Sequence, residues 1–276
     1  MAVWSILLIA GFVGCIWAGE ADGASPRRGE CFLLQEIGSR RVKQAGRDCA
    51  FATAPASTFK IPHAIIALET KAIRSDEILD YDRTSLSFET WKGKHDLPGA
   101  IRWSVYPFFR VTAARIGRKP MMAGLERLRY AKDRFEGDHT EFWTNGDLVV
   151  TPREQLDFLR RIFSGQLVTD AGASDGELRS AVNVVKEALV MPQGSITNAA
   201  GTHPFPLRWG AQTVVRAKTG NTRVGEDRIS WLVGEIEQGS RKWVFASRVR
   251  AQGSLKSTAG AELALRELNL EIKIRR

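Results

Sequence analysis

The sequence predicts an α+β fold in which strands from both chain ends pair into one antiparallel sheet around an inserted, mostly helical middle. Three observations carry this. Residues 31–37 (Cys-Phe-Leu-Leu-Gln-Glu-Ile) read as a strand running into a turn at Gly38-Ser39-Arg40-Arg41. From about residue 75 to 195, apolar residues recur mostly at helical spacing. The last third returns to strands, at Thr213–Lys218, Ser230–Ile236 and Lys242–Val249, with Gln238–Arg241 as the turn between the last two.

Taken in order, the first helix is expected from about Ser57 to Lys71, where Phe59, Ile61, Ile65 and Leu68 bury one side. Further helices are expected at Phe109–Ile116, Met121–Tyr130, Pro152–Phe163 and Asp175–Leu189. Thr151-Pro152-Arg153-Glu154 is a helix start, with threonine as cap and proline in the first position. A closing helix is expected from about Ser257 to Leu268. No repeat or low-complexity linker divides the chain. Residues 22–276 therefore read as one domain with a helical insertion at about 75–205.

The 276 residues are 43% hydrophobic and 26% charged, an ordinary globular composition with no fibrous or disordered bias. Lys and Arg outnumber Asp and Glu by 40 to 31, a net charge of +9. The basic residues are scattered, as at Arg40-Arg41, Arg160-Arg161 and Arg275-Arg276, without zinc-ligand spacing or a glycine-rich phosphate loop. They read as solvated surface, and no nucleic-acid partner and no metal are expected.

Residues 3–18 carry no charge and are followed by small and polar residues. The run falls short of the roughly 20 residues that span a bilayer, and suits a secretory signal peptide cleaved after Ala21. Gly14-Cys15 offers a weaker lipoprotein-type alternative, and an uncleaved anchor is the other. Export to the periplasm is the expectation, with no stable membrane association after cleavage. In an oxidising compartment the remaining pair, Cys31 and Cys49, is expected to form a disulfide. A hairpin turning at Gly38–Arg41 would bring the two close to opposite each other, and the bond would contribute about 3 kcal/mol.

Ser57-Thr58-Phe59-Lys60 is the chain's one S-x-x-K. Positions i and i+3 share a helical face, so the serine hydroxyl and the lysine amine come within reach of each other. Serine attacks only when a base takes its proton, and a lysine desolvated among Phe59, Ile61 and Ile65 becomes such a base. Lys218-Thr219-Gly220 closes a β-branched strand, where a glycine lets a substrate backbone approach an edge. Lys218 would lower the Lys60 pKa and attract a carboxylate. Each motif alone is weak; together, in this order, they are the combination of penicillin-recognising serine enzymes.

Pro55-Ala-Ser-Thr-Phe-Lys-Ile-Pro, followed by Ile-Ala-Leu-Glu, resembles the nucleophile helix of the class D serine β-lactamases, the oxacillinases. Ser104-Val105-Tyr106 resembles the second motif, Phe142-Trp143 the family's Phe-Trp, and Ile229–Gly234 the strand after K-T-G. The resemblance covers roughly residues 30–268 and implies a β-lactamase/transpeptidase-like fold. It implies Ser57 as the acylated nucleophile and Lys60 as an N6-carboxylysine formed with CO2 or bicarbonate, the general base. It further implies Trp143 as the donor holding that carbamate and Ser104 as the proton relay to the β-lactam nitrogen. Lys218, Thr219 and Gly220 would receive the substrate, Lys256 would stand for the carboxylate-binding arginine, and Asn221 and Ser57 N–H groups would form the oxyanion hole.

The chain departs from that pattern at Tyr106, where the family has valine, at Tyr130-Ala131-Lys132 in place of Tyr-Gly-Asn, and at Asn221 in place of an aromatic. Tyr106 is expected to crowd the carbamate pocket or to donate to it, and Tyr130 to lie on an exposed helical stretch. The expected activity is β-lactam hydrolysis by a monomer or homodimer. A slow-deacylating penicillin sensor and a DD-peptidase of the same fold are the alternatives. His63 is expected to pack or face solvent.

Overall fold

The computed structural model describes Met1 and residues 28–81, 86–131, 135–167, 175–210 and 212–274. Apart from Met1, the expected leader at 1–21 lies outside them.

Strand β1 (Arg28–Glu36) pairs antiparallel with β2 (Val42–Ala45). The C-terminal strands β5 (Thr213–Val224), β6 (Asp227–Gln238) and β7 (Arg241–Gln252) form a meander. Nine β1 residues pair with β7, which closes one sheet from both chain ends in the order β2-β1-β7-β6-β5. The strands run longer than the apolar runs that mark them, because β5–β6 and β6–β7 stay paired out to their charged ends.

Alternate residues of the sheet feed two cores. Cys31, Leu33, Trp231, Val233, Val244 and Ala246 face the helical side. Phe32, Leu232, Trp243 and Phe245 face α8 (Ala259–Ile274), which runs past the expected end at Leu268. Because β6 is covered on both faces, its sequence reads as an unbroken apolar run instead of an alternation.

On the helical side lie α1 (Lys60–Glu69), α2 (Leu97–Arg102), α3 (Tyr106–Ile116), α4 (Arg118–Arg127), α5 (Phe142–Asn145), α6 (Pro152–Phe163) and α7 (Gly176–Ala188). The Thr151 side chain and Glu154 cap the start of α6 reciprocally, as the sequence predicts. Three expectations change. The first helix begins as a 3₁₀ turn over Ala56–Phe59 and ends at Glu69. Helix α4 stops at Arg127, and left-handed Arg129 and Ala131 (φ 48° and 61°) turn the buried Tyr130 into the core against Phe59 and Phe158. Residues 195–204, expected within the helical region, form a hairpin of β3 (Ser195–Asn198) and β4 (Gly201–Pro204).

Cys31 and Cys49 are disulfide-bonded, but not as facing residues of the hairpin. The β1–β2 register places Phe32 opposite Ala45, and β2 ends there. Gly46 (φ +83°) then turns the chain back so closely that a Cβ would lie 2.1 Å from Glu30 O. The returning segment carries Cys49 to Cys31.

Candidate active site

Ser57 sits in the 3₁₀ turn, where three residues per turn eclipse positions i and i+3. Lys60 Nζ donates to Ser57 Oγ at 2.9 Å. The Lys60 side chain is fully buried, its amine 4.9 Å from the Phe109 ring centroid. Burial first, and then the nearby charge of Lys218, hold its pKa well below the usual lysine value. The lowered pKa favours the uncharged amine beside the Ser57 hydroxyl.

The turn is held from several sides. Thr58 Oγ1 donates to Pro55 O at 2.6 Å and accepts from Gln155 Nε2 at 2.6 Å. Thr53 and Val150 exchange backbone bonds of 3.0 and 2.8 Å. Just before the serine, Ala56 adopts φ 51°, a left-handed value that a non-glycine residue takes at a local cost. Ser104 does the same at φ 53°, between α2 and α3.

Lys218 Nζ donates to Ser104 Oγ and lies 3.1 Å from Thr219 O. Burial lowers its pKa from 10.5 to about 7. Thr219 Oγ1 donates to Thr197 O at 3.3 Å, joining β5 to the β3–β4 hairpin. The glycine of the motif has a different purpose from the one expected. A Cβ on Gly220 would lie 3.0 Å from Pro55 O and from Thr58 Cγ2, so the glycine admits the nucleophile turn rather than a substrate backbone.

Strand β5 is the outer strand of the sheet. Ala217 N–H donates outward to Leu189 O at 2.9 Å, and Val215 O accepts from Met191 N at 2.8 Å. Backbone groups alternate sides along an unbroken antiparallel ladder, so Thr219 and Asn221 also present theirs outward, towards the cleft. The Asn221 N–H thus faces the cleft that Ser57 lines from the other side.

These walls enclose a cleft of about 260 Å³ lined by Ser57, Ser104, Tyr106, Thr219 and Asn221 among others. Phe88 and Trp91, with ring centroids 4.8 Å apart, form one wall, and the hairpin tip Asn198–Ala200 another. Thr90 Oγ1 links the two by donating to Ala199 O at 2.5 Å. Phe88, Thr144, Asn198, Ala199, Ala200 and Ser257 line the cleft without belonging to any motif; Thr144 and Ser257 merely neighbour motif residues. Lys256 lies outside the cleft lining: its side chain is 78% exposed and pairs with Glu262 at 3.7 Å.

Trp143 is fully buried, stacked on Phe59 at 5.4 Å, and its indole N–H finds no acceptor among the described residues. An unsatisfied buried donor costs about 1–3 kcal/mol, which marks this N–H as waiting for an acceptor. Of the two expectations for Tyr106, the structure bears on the hydroxyl. Its hydroxyl donates to Glu141 Oε2 at 3.1 Å, away from Lys60, while its ring lines the cleft and meets Trp143 edge-on at 6.3 Å. His63 is wholly buried among Phe59, Phe109 and Trp143, bonded to Thr112 at 2.9 Å, with a pKa lowered by burial to about 3. It is a neutral packing residue.

A family model described as the penicillin binding protein transpeptidase domain matches residues 25–266. The β-lactamase OXA-48 of Klebsiella pneumoniae is 29% identical over 193 residues, 70% of this chain and 64% of that protein, so the match spans just under two thirds of the relative. The C-terminal domain of the Bacillus licheniformis BlaR penicillin-receptor superposes with a TM-score of 0.73 at 21% identity, covering 88% of this chain and 90% of that domain. The class D β-lactamase YbXI from Nostoc gives 0.71 at 24% identity, covering 88% and 93%. The two structural likenesses are likenesses of fold. The match over residues 25–266 settles the family: this chain belongs to the penicillin-binding protein transpeptidase domain family and has the class D β-lactamase fold.

Proposed function

We propose that the chain is a serine β-lactamase that opens the β-lactam amide through an acyl-enzyme at Ser57. The observation that carries this is the 2.9 Å contact between the buried Lys60 amine and Ser57 Oγ. Lys60 takes the hydroxyl proton as Ser57 Oγ bonds to the β-lactam carbonyl carbon. The Asn221 and Ser57 N–H groups receive the developing oxyanion, at about 3 kcal/mol per donor. As the carbon–nitrogen bond breaks, Ser104 passes a proton from Lys218 to the departing nitrogen, along the contact between them. Lys218 and Thr219 face the substrate carboxylate, with Lys256 outside the cleft as a longer-range cation.

The residues present fit a carbamate formed by CO2 on a neutral Lys60. Burial favours the uncharged amine that reacts with CO2, and the orphaned Trp143 N–H is a donor suited to the anion. Once formed, such a carbamate would stand in for the free amine as the general base, towards the Ser57 hydroxyl as well as towards the hydrolytic water. An exported chain, with residues 1–21 as leader, suits the disulfide of Cys31 and Cys49. No helix among the described residues is long and apolar enough to cross a membrane.

The likeness to a penicillin-receptor domain favours one second reading, in which Ser57 is acylated and the ester persists. A chromogenic β-lactam assayed with and without bicarbonate separates the two. Multiple turnover that rises with bicarbonate and vanishes in Ser57→Ala is the expected result. A single stoichiometric burst would favour the receptor reading, and an adduct surviving Ser57→Ala would overturn the nucleophile.

A further inference from the structure

The segment leading to Ser57 crosses the sheet at a steep angle, and one transverse row of residues holds it. In register across four strands lie Cys31 on β1, Arg248 on β7, Trp231 on β6 and Gly220 on β5. Each meets the next stretch of that segment. Cys31 is bonded to Cys49. Arg248 Nη2 donates to Asp48 O, and its Nη1 to Phe51 O, with Thr53 Oγ1 at 3.5 Å. Trp231 Nε1 donates to Ala54 O at 3.1 Å. Gly220 leaves the space that Pro55 and Thr58 occupy.

Arg248 is the unusual member. Its side chain is fully buried on the sheet face that also carries Trp231, Val233 and Ala246, and its guanidinium lies 5.5 Å from the Trp231 ring centroid. The charge is balanced by Asp48, whose carboxylate accepts from Nη2 at 2.5 Å and also meets Arg250 at 3.3 Å. Gly29 makes room for that carboxylate, since a Cβ there would fall 2.3 Å from Asp48 Oδ2. The segment between Cys49 and Ala54 is neither helix nor named strand, so it has few backbone partners of its own. A planar fork with several donors suits carbonyls presented at irregular angles, where a lysine would satisfy fewer.

We propose that Arg248 is a positioning residue for the nucleophile: by gripping the carbonyls of Asp48 and Phe51 it sets the approach of the chain to left-handed Ala56, and hence the placement of Ser57 Oγ. Arg248 touches neither the cleft nor Lys60. Its effect falls on the rate at which Ser57 is acylated, with the base left as it is. This inference rests on Ser57 being the acylated residue.

The test compares Arg248→Lys and Arg248→Met with Arg216→Gln. The control removes ion pairs to Glu235 and Glu237 on the same sheet without touching residues 48–58. Acylation by penicillin is followed by intact mass across pH, and amide hydrogen exchange is followed over residues 49–58. Arg248→Met should acylate roughly tenfold or more slowly, with an unmoved pH midpoint and faster exchange confined to that segment. Arg248→Lys should fall between it and the wild type. Arg216→Gln, compared at equal unfolding margin, should acylate at the wild-type rate. Arg248 variants acylating like the wild type, or slowing only as much as an equally destabilised control, overturn the proposal. Should Arg248→Met not fold, Arg248→Lys alone decides by the same readouts. If the wild type takes no β-lactam, the nucleophile reading fails by itself. The exchange arm then still decides: unchanged exchange at 49–58 in Arg248→Lys refutes the grip.

Discussion

Lys60 and Lys218 lie close enough that the charge of one depresses the pKa of the other, yet each amine is bonded to a different serine, Ser57 and Ser104. Two buried amines in one site cannot both be charged without large cost. In the proposed mechanism the arrangement would supply a proton acceptor and a proton donor from the same residue type.

Lys218 gives this a thermodynamic signature. Its folded value of about 7 lies below the unfolded 10.5, so between those values the unfolded chain binds more protons than the folded one. Stability then rises with pH from about 7 to 10 and is flat in this group's contribution below 7, at about 1.4 kcal/mol per unit of depression. In CO2-free buffer, urea unfolding of the wild type should gain on Lys218→Met across that window. A difference that stays constant from pH 7 to 10 would contradict the assignment.

Trp143→Phe keeps the stacked aromatic and removes the orphaned N–H. A hydrogen bond to a charged group contributes about 1.5–3 kcal/mol, so the carbamate on Lys60 should be roughly 10–100-fold less populated. Carbon-13 NMR after incubation with labelled bicarbonate should show a carbamate signal in the wild type that fades in the variant. Equal signals would mean that the indole has another purpose.

Tyr106 separates into a hydroxyl and a ring. Because the hydroxyl is committed to Glu141, Tyr106→Phe should leave the bicarbonate dependence of turnover within about twofold, a surface-type effect. Tyr106→Val removes cleft wall, and should change KM among substrates with different side chains more than it changes kcat. A bicarbonate requirement altered by Tyr106→Phe would restore the hydroxyl as a partner of Lys60.

Gly220→Ala presses a methyl against Pro55 O and Thr58. Overpacking against backbone typically costs about 1–3 kcal/mol. Acylation should slow more than the stability loss accounts for, since the displaced atoms belong to the nucleophile turn. Wild-type acylation in a folded Gly220→Ala protein would show that the turn can shift without consequence.

The candidate site was legible wherever it depends on short spacing. Ser57 and Lys60 are three residues apart, and Lys218–Gly220 are contiguous, so local pattern alone singles them out. The helix at Pro152–Phe163 was legible to the residue because its cap and its apolar stripe agree. What depended on distant packing was not. Asn198–Ala200 joins the cleft through a hairpin whose four-residue strands carry little pattern. Arg248 looks like any strand arginine until β1, β6 and β7 are aligned. The cysteine pairing was anticipated, but its route was not, because β2 ends at Ala45 and the chain turns back at Gly46 before it reaches Cys49.

The strip covering β5 has a further consequence. Residues 189–191 occupy the outer edge as far as Ala217, which leaves the outward backbone groups of Thr219 and Asn221 as the next rungs beside Ser57. A ligand docking there as an added strand finds two rungs before it meets Leu189. A long extended peptide would have to displace that strip, whereas a compact ring with one amide and one carboxylate needs no more than the gap provides. On the proposed reading, a preference for short over extended ligands would follow from how much sheet edge is left uncovered, independent of the reactivity of the serine.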